Sequence, residues 1–346
     1  MVSAMPIEPI ASLRGRHIID DASLEPAEFR ALLDLADALA DTAERRTSHS
    51  ATVPFEPMLP GRVIACIFEK ASSRTRLAIE IAAARHGAKA VFLDTTSQLG
   101  HKESLEDTVR LLSATCDAIA FRGNRQSDLE SISDISTIPV FNMLTDMWHP
   151  TQMWADVLTM RNVTGKEVGE ISYAFVGDGR CNVANSQLLT GAVLGMDVRI
   201  IAPTELQPDA AIQQRAAEIA LNSGARIAIT DSLDALHGVD VVSTDVWVSM
   251  GEPQDAWQER VALLRDYRVT HELLARSGNP NVTFMHCLPA FHDLNTEVGA
   301  QVAAATGLTD GIEVTDAVFR SSASRVWEQA AARVCTTEAL FVSAIA

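Results

Sequence analysis

Short apolar runs alternate along this chain with longer stretches whose apolar residues return every three or four positions. Strands buried on both faces read as continuous apolar runs, and the helices that cover them read as one-sided patterns. The alternation therefore predicts βα units and parallel sheets. In the first half, Val63-Ile64-Ala65-Cys66-Ile67-Phe68, Ala90-Val91-Phe92-Leu93, Ala118-Ile119-Ala120-Phe121 and Pro139-Val140-Phe141-Asn142 predict four strands. Helices are expected over 75–86, stopped by Gly87, over 104–115, and from 150 to about 162, where Thr164-Gly165-Lys166 breaks the pattern. A second series opens at Ile171 to Val176, ends in Gly177-Asp178-Gly179, and continues with a helix over 183–194 and a strand over 197–201. Further strands are expected over 226–229, 241–244 and 283–286. The last helix, about 324–342, is apolar on one face and suited to pack back against the first domain. The fold class expected is α/β: two domains, each a parallel sheet flanked by helices, with a C-terminal helix returning to the first.

Length agrees with that division, since 346 residues at roughly 150 per domain make two. The hydrophobic share of 47% suffices for two buried cores. Charge narrows the partners. A net charge of −17 argues against nucleic acid or an anionic membrane, so an anionic substrate would need a local cluster of basic residues. No run of about 20 apolar residues predicts a membrane span. The stretch from Met1 to Pro9 lacks the basic and apolar regions of a signal peptide. Cys66, Cys116, Cys181, Cys287 and Cys335 are far apart and form no CxxC pair. They read as reduced thiols of a cytoplasmic protein, with neither a disulfide framework nor a zinc site.

The basic cluster that charge calls for is Ser72-Ser73-Arg74-Thr75-Arg76, which follows a strand and opens a helix. Backbone N–H groups at a helix start favour anions, and hydroxyls and guanidiniums strengthen such a site. The same residues also fit a serine N-cap followed by solvated arginines. The Gly-rich frame and Gly-Lys-Ser/Thr ending of a P-loop are missing. Other polar groups fall at strand ends, where ligands bind in parallel α/β sheets. These are Arg122, His149-Pro150-Thr151-Gln152, Asp245 with Ser249-Met250-Gly251, and His286-Cys287-Leu288-Pro289. Taken singly, a histidine here reads more often as structural than catalytic, and a cysteine most often as a small buried apolar residue. Gly177-Asp178-Gly179-Arg180-Cys181-Asn182 fails as a dinucleotide fingerprint, because Asn182 stands where the third glycine belongs and no acidic residue ends the next strand.

Taken together, these segments resemble the aspartate/ornithine carbamoyltransferase family over nearly the whole chain. The resemblance rests on Phe68-Glu69-Lys70 leading into S-S-R-T-R, Gln98-Leu99-Gly100-His101-Lys102-Glu103-Ser104, and the F-R-G around Arg122. It continues with H-P-T-Q at His149, Asp245-Val246-Trp247-Val248-Ser249-Met250-Gly251, and H-C-L-P-A beginning at His286. The S-M-G segment points within the family to the members that use ornithine. The resemblance implies a carbamoyl phosphate domain over 1–150, joined by the helix at about 324–346, and an ornithine domain over 151–323. It implies transfer of a carbamoyl group to the side-chain amine of L-ornithine with neither cofactor nor metal.

The resemblance also implies roles. Ser72, Ser73, Arg74 and Thr75 would hold the phosphate. Arg122 and His149, with Thr75, would polarise the carbonyl oxygen. Gln152 and the Cys287-Leu288 backbone would orient the carbamoyl NH2, and Arg333 would complete the pocket. Asn182, Asp245, Ser249 and Met250 would hold ornithine, with Cys287 and Asp245 positioning or deprotonating its amine. Family members assemble as trimers with shared active sites, so Gln98 would reach a neighbouring subunit's carbamoyl phosphate. Closure of the domains and of the Ser249-Met250-Gly251 loop would exclude water. Departures from the family's pattern are Cys181, in place of the first of two asparagines, and Ala332 and Cys335 around the retained Arg333. Two other readings stand beside this one: a different amine acceptor, such as putrescine or an acylated ornithine, and a paralogue that binds without turnover.

Overall fold

A computed structural model of the protein describes residues 8–47, 56–93, 103–247 and 256–345. The chain forms two compact units, Met1–Ala155 with Ala331–Ala346, and Asp156–Ala330. The first contains α1 (Pro26–Thr47), β1 (Val63–Phe68), α2 (Ser73–Arg85), β2 (Lys89–Leu93) and α3 (Leu105–Thr115). It continues with β3 (Ala118–Arg122), α4 (Gln126–Ile135) and β4 (Val140–Leu144). The strands pair in parallel in the order β2-β1-β3-β4. Ala65, Ile67, Val109, Ile119, Phe121 and Leu129 form its core. Helix α5 (Pro150–Thr164) runs from this unit into the next, ending at Gly165, whose φ of +65° suits glycine as a helix stop.

The second unit contains β5 (Ser172–Val176), α6 (Asn182–Leu194), β6 (Asp197–Ile201), α7 (Ala210–Ser223), β7 (Arg226–Thr230) and β8 (Val241–Thr244). After these come α8 (Ala256–Leu264), α9 (His271–Ala275), β9 (Thr283–His286), α10 (Glu297–Thr306) and α11 (Asp316–Phe319). Its sheet is again parallel, in the order β7-β6-β5-β8-β9. Helix α12 (Val326–Ala344) begins here, and its residues from Ala331 onward belong to the first unit. Phe341 anchors that return: it is fully buried, with its ring centroid 5.8 Å from that of Phe141 on β4.

Both sheets are the ones the apolar runs predict. The differences lie in helices and edges. Strand β4 starts at Val140 and runs on to Leu144, because Pro139 has no N–H and contributes only a carbonyl, to Ile119 N. Helix α2 starts two residues earlier than its apolar period suggests, because Ser72 caps it. Helices α1, α4 and α7 to α11 are not foreseen by the periodicity. In α7 only Ile212 and Ala216 are buried, too few to stamp a period on fourteen residues.

Strand order fixes where ligands can sit. In the first sheet, winding runs outward from β1 to β2 on one side and to β3 and β4 on the other, so the switch point lies between β1 and β3. In the second it lies between β5 and β8. The crevice beyond the carboxyl ends at a switch point is the usual ligand site of such sheets.

Candidate functional site

In the first unit, Phe68 at the end of β1 lies in register with Arg122 at the end of β3. The chain leaving β1 turns into α2, where Ser72 Oγ accepts from Thr75 N at 3.2 Å. Arg76 faces outward, pairing with Glu80 and lying over the Phe92 ring. The solvated-arginine reading therefore fits Arg76, whereas Thr75 is buried and Arg74 half-buried. Gly123 follows Arg122 because a β-carbon there would collide with the Phe121 ring and lie 2.9 Å from Glu69 Oε2. That carboxylate accepts from Asn124 N at 2.8 Å and holds the loop.

Thr75 is the meeting point. Its hydroxyl oxygen accepts from Arg122 Nη1 at 3.3 Å and from Arg333 Nη2 at 3.0 Å. Arg333 Nη1 donates to Gln152 Oε1 at 2.6 Å, and its Nη2 lies 3.4 Å from Thr151 Oγ1. Thr151 and Gln152 come from the first turn of α5, where Pro150 suits the opening position. His149 precedes it, with Nδ1 3.4 Å from Thr151 Oγ1. Two buried guanidiniums thus share one neutral oxygen. The resulting positive potential registers on His149, whose pKa burial and then Arg333, Arg122 and Arg74 push well below its usual 6.5. A neutral imidazole among cations can polarise an oxygen without itself adding charge. The cluster is arranged to take an anion.

In the second unit, the ends of β8 and β9 bring Asp245 and Cys287 together, and Cys287 Sγ donates to Asp245 Oδ1 at 3.1 Å. Val246 N donates to the same oxygen at 2.8 Å. Burial raises the Asp245 pKa; His286, the Cys287 thiol and Val246 N oppose the shift, and Glu313 adds to it. His286 Nδ1 accepts from Leu288 N at 2.9 Å, and its Nε2 lies 3.4 Å from Glu313 Oε1. Leu288 takes φ +62°, a left-handed conformation that costs a non-glycine residue about 1–2 kcal/mol and recurs at functional turns. Asn182 opens α6 beyond the end of β5. Cys181 caps that helix, its sulfur accepting from Ala184 N at 3.4 Å, and burial pushes its thiol pKa upward.

Among the described residues, two groups of side chains have metal-ligand chemistry. Asp245, His286 and Cys287 present donor atoms within 4.8 Å of one another, as do His292, Asp293 and Asp316. In the first, His286 Nδ1 already accepts from Leu288 N, and the Cys287 thiol already donates to Asp245. In the second, the Arg320 guanidinium pairs with both carboxylates and occupies the place of a cation.

Comparison with known proteins matches two family models to the chain. Residues 16–162 match the model for the "Aspartate/ornithine carbamoyltransferase, carbamoyl-P binding domain", and residues 169–344 match that for the Asp/Orn binding domain. The chain belongs to the aspartate/ornithine carbamoyltransferase family. It is 46% identical over 336 residues to a catabolic ornithine carbamoyltransferase of Rhizobium meliloti, spanning 96% of this chain and 98% of the relative. To an ornithine carbamoyltransferase of Actinobacillus pleuropneumoniae it is 48% identical over 338 residues, spanning 97% and 99%. Among solved structures, the ornithine carbamoyltransferase of Pyrococcus furiosus superposes with a TM-score of 0.85 at 32% identity, over 97% of this chain and 99% of that one.

Within this family member, Thr75, Arg122, Gln152 and Arg333 form one hydrogen-bonded cluster, with His149 bonded to Thr151 beside it. Asp245 and Cys287 form the other. Ser72 is the helix cap, and Ser73 is the exposed first residue of α2. Gln98, Ser249 and Met250 lie outside the described residues. The altered neighbours of Arg333 do not leave it undirected, because Gln152 and Thr75 hold its guanidinium, and Cys335 turns its thiol to Ala332 O at 3.2 Å. Sequence reasoning missed Gln126, Asp156, Gln187 and Gln329, all buried and all hydrogen-bonded. Polar residues set in otherwise apolar helix faces were the available signal.

No helix among the described residues is long and apolar enough to cross a membrane.

Proposed function

We propose that this chain transfers the carbamoyl group of carbamoyl phosphate to the side-chain amine of L-ornithine, giving L-citrulline and phosphate. The single observation that carries the reading is the buried Arg122–Thr75–Arg333–Gln152 cluster, whose cations point at neutral oxygens. Ser72, Ser73, Arg74 and Thr75 take the phosphate. Arg122, Thr75 and the neutral His149 donate to the carbonyl oxygen as it gains charge in the tetrahedral transition state. Gln152 orients the carbamoyl NH2 and Arg333 completes the anion site. Asn182 and Asp245 take ornithine. Gln98, Ser249, Met250, Cys287 and Leu288 keep the roles that the family resemblance implies.

An alkyl amine titrates near 10.4, taking lysine as the guide, so the attacking form is scarce at neutral pH. A carboxylate whose proton affinity burial has raised is a better acceptor for that amine's proton, and Asp245 is such a group. The departing phosphate accepts the other. Carbamoyl phosphate carries its own leaving group, so the step needs no covalent intermediate.

A trimer with shared active sites and a cytoplasmic location belong to the same proposal. Five cysteines outside any disulfide support the location. Purified protein given carbamoyl phosphate and L-ornithine should form citrulline; folded protein that forms none sinks the reading. A panel of putrescine and acylated ornithine tests the choice of amine, and solution mass tests the trimer.

A further inference from the structure

The Asp245–Cys287 pair connects to a chain of buried polar groups that the proposed reaction does not use. Asp156 on α5, 1% exposed, accepts from Gln329 Nε2 at 2.7 Å on Oδ1 and from Gln187 Nε2 at 3.4 Å on Oδ2. Gln329 Oε1 accepts in turn from His286 N at 2.9 Å, one residue before Cys287. Gln187 Oε1 accepts from Ser243 Oγ at 2.8 Å, two residues before Asp245. A carboxylate has no proton to give, so both amide NH2 groups must face it. Both glutamine oxygens are then left to receive a strand end. The His286 N–H is a fixed donor with no alternative role, whereas the Ser243 hydroxyl can donate or accept.

We propose that Asp156 is a positioning residue for the reaction: through Gln329 it sets the His286–Leu288 turn, and through Gln187 the end of β8 that carries Asp245. This rests on the assignment of Cys287 and Asp245 to the ornithine amine. Gln329 is the directional member, since turning its amide over would set NH2 against N–H at His286. Gln187 is the tolerant one.

A swap of hydrogen-bonding groups tests this on the full-length protein. Gln329→Glu sets two buried carboxyls against each other, and it is assayed at alkaline pH, where the pair gives up the proton it would otherwise share. Its kcat per folded molecule should fall at least about tenfold, within the usual coupling of buried partners. Asp156→Asn should stay within about threefold of the parent, because the new amide oxygen still receives Gln329 and Gln187 can turn over toward Ser243. The two together should recover most of the lost kcat. The new amide then donates to the new carboxylate, whose other oxygen still receives His286 N. A double variant no better than Gln329→Glu, or an Asp156→Asn as poor as it, overturns the proposal. So does recovery that appears in the melting temperature but not in kcat per folded molecule, because that marks a merely structural role.

The rate of Cys287 alkylation by iodoacetamide, located by peptide mass, reads the same turn without turnover. Gln329→Glu should change it at least about threefold and the double variant should return it. A parent protein that makes no citrulline therefore sinks the reaction assignment while the alkylation series still decides the network. An unchanged alkylation rate overturns the network alone. If Gln329→Glu does not fold, Gln329→Met takes its place: it should lose kcat alike, and Asp156→Asn should give it no recovery. Recovery there would overturn the proposal.

Discussion

The two strand-end clusters are built from the same architecture and carry opposite electrostatics. In the first unit the buried groups are the guanidiniums of Arg122 and Arg333; burial, and after it these two with Arg74, push His149 toward its neutral form. In the second unit the groups at the strand ends are the Asp245 carboxyl, the Cys287 thiol and the buried His286–Glu313 pair. Asp245 is pushed toward its protonated form, first by burial. A chain of net charge −17 thus keeps a cationic cluster in one unit and an acidic one in the other. The first suits a phosphate dianion and the second suits an amine that arrives protonated. Fold alone therefore decides where a ligand sits, at the switch point of each sheet, while charge decides which ligand.

The sharpest way to break that contrast is to remove a cation from the first cluster. Arg122→Ala should lower kcat about 10²- to 10³-fold, as loss of an oxyanion donor does, with a smaller change in KM. Steady-state kinetics in which only KM rises would remove Arg122 from that role. On the acidic side, Asp245→Asn should cut kcat/KM for ornithine about 10- to 100-fold, the worth of one charged hydrogen bond. Equilibrium binding of carbamoyl phosphate should survive it, and its loss would contradict the division of ligands.

The third test is of pH. His149 has its folded pKa depressed, so below 6.5 the unfolded chain binds a proton that the native one refuses. Stability should therefore decline as pH falls below 6.5, at up to about 1.4 kcal/mol per pH unit from this group. Asp245 has the opposite sign: its raised pKa makes the folded chain the better proton binder, so its cost falls away as pH drops through that pKa. Urea unfolding of His149→Gln should show a shallower acid slope than the parent, and equal slopes would refute the account. The smallest effect concerns Cys181. An asparagine accepts a cap hydrogen bond better than a thiol, so Cys181→Asn should stabilise the fold by about 0.5–1 kcal/mol, read as a raised denaturant midpoint.

Much of this was legible in the residue order. The strands 63–68, 197–201, 241–244 and 283–286 coincide with the apolar runs, because strands buried on both faces have no other way to be written. Arg122, His149 and Asp245 stand out in the sequence because polar groups at strand ends contrast with the apolar runs. What stayed hidden was polar and interior. Gln187 sits in α6, whose every residue from Val183 to Leu194 is buried, and it reads there as an interruption. Asp156 and Gln329 lie 173 positions apart and acquire meaning only through each other.

The sequence by itself determined two parallel sheets, the strand ends that carry reactive groups, and membership of a family. Local preferences suffice for that, since apolar period, helix caps and turn residues act over a few positions. Tertiary structure decided which side chains share an atom. Arg122 and Arg333 meet on the Thr75 hydroxyl across 211 positions of chain, and no local rule brings them there. The pKa values of His149 and Asp245 were likewise decided by folding, because burial and the field of distant charges set them, and both arise only when the sheets have closed over their helices.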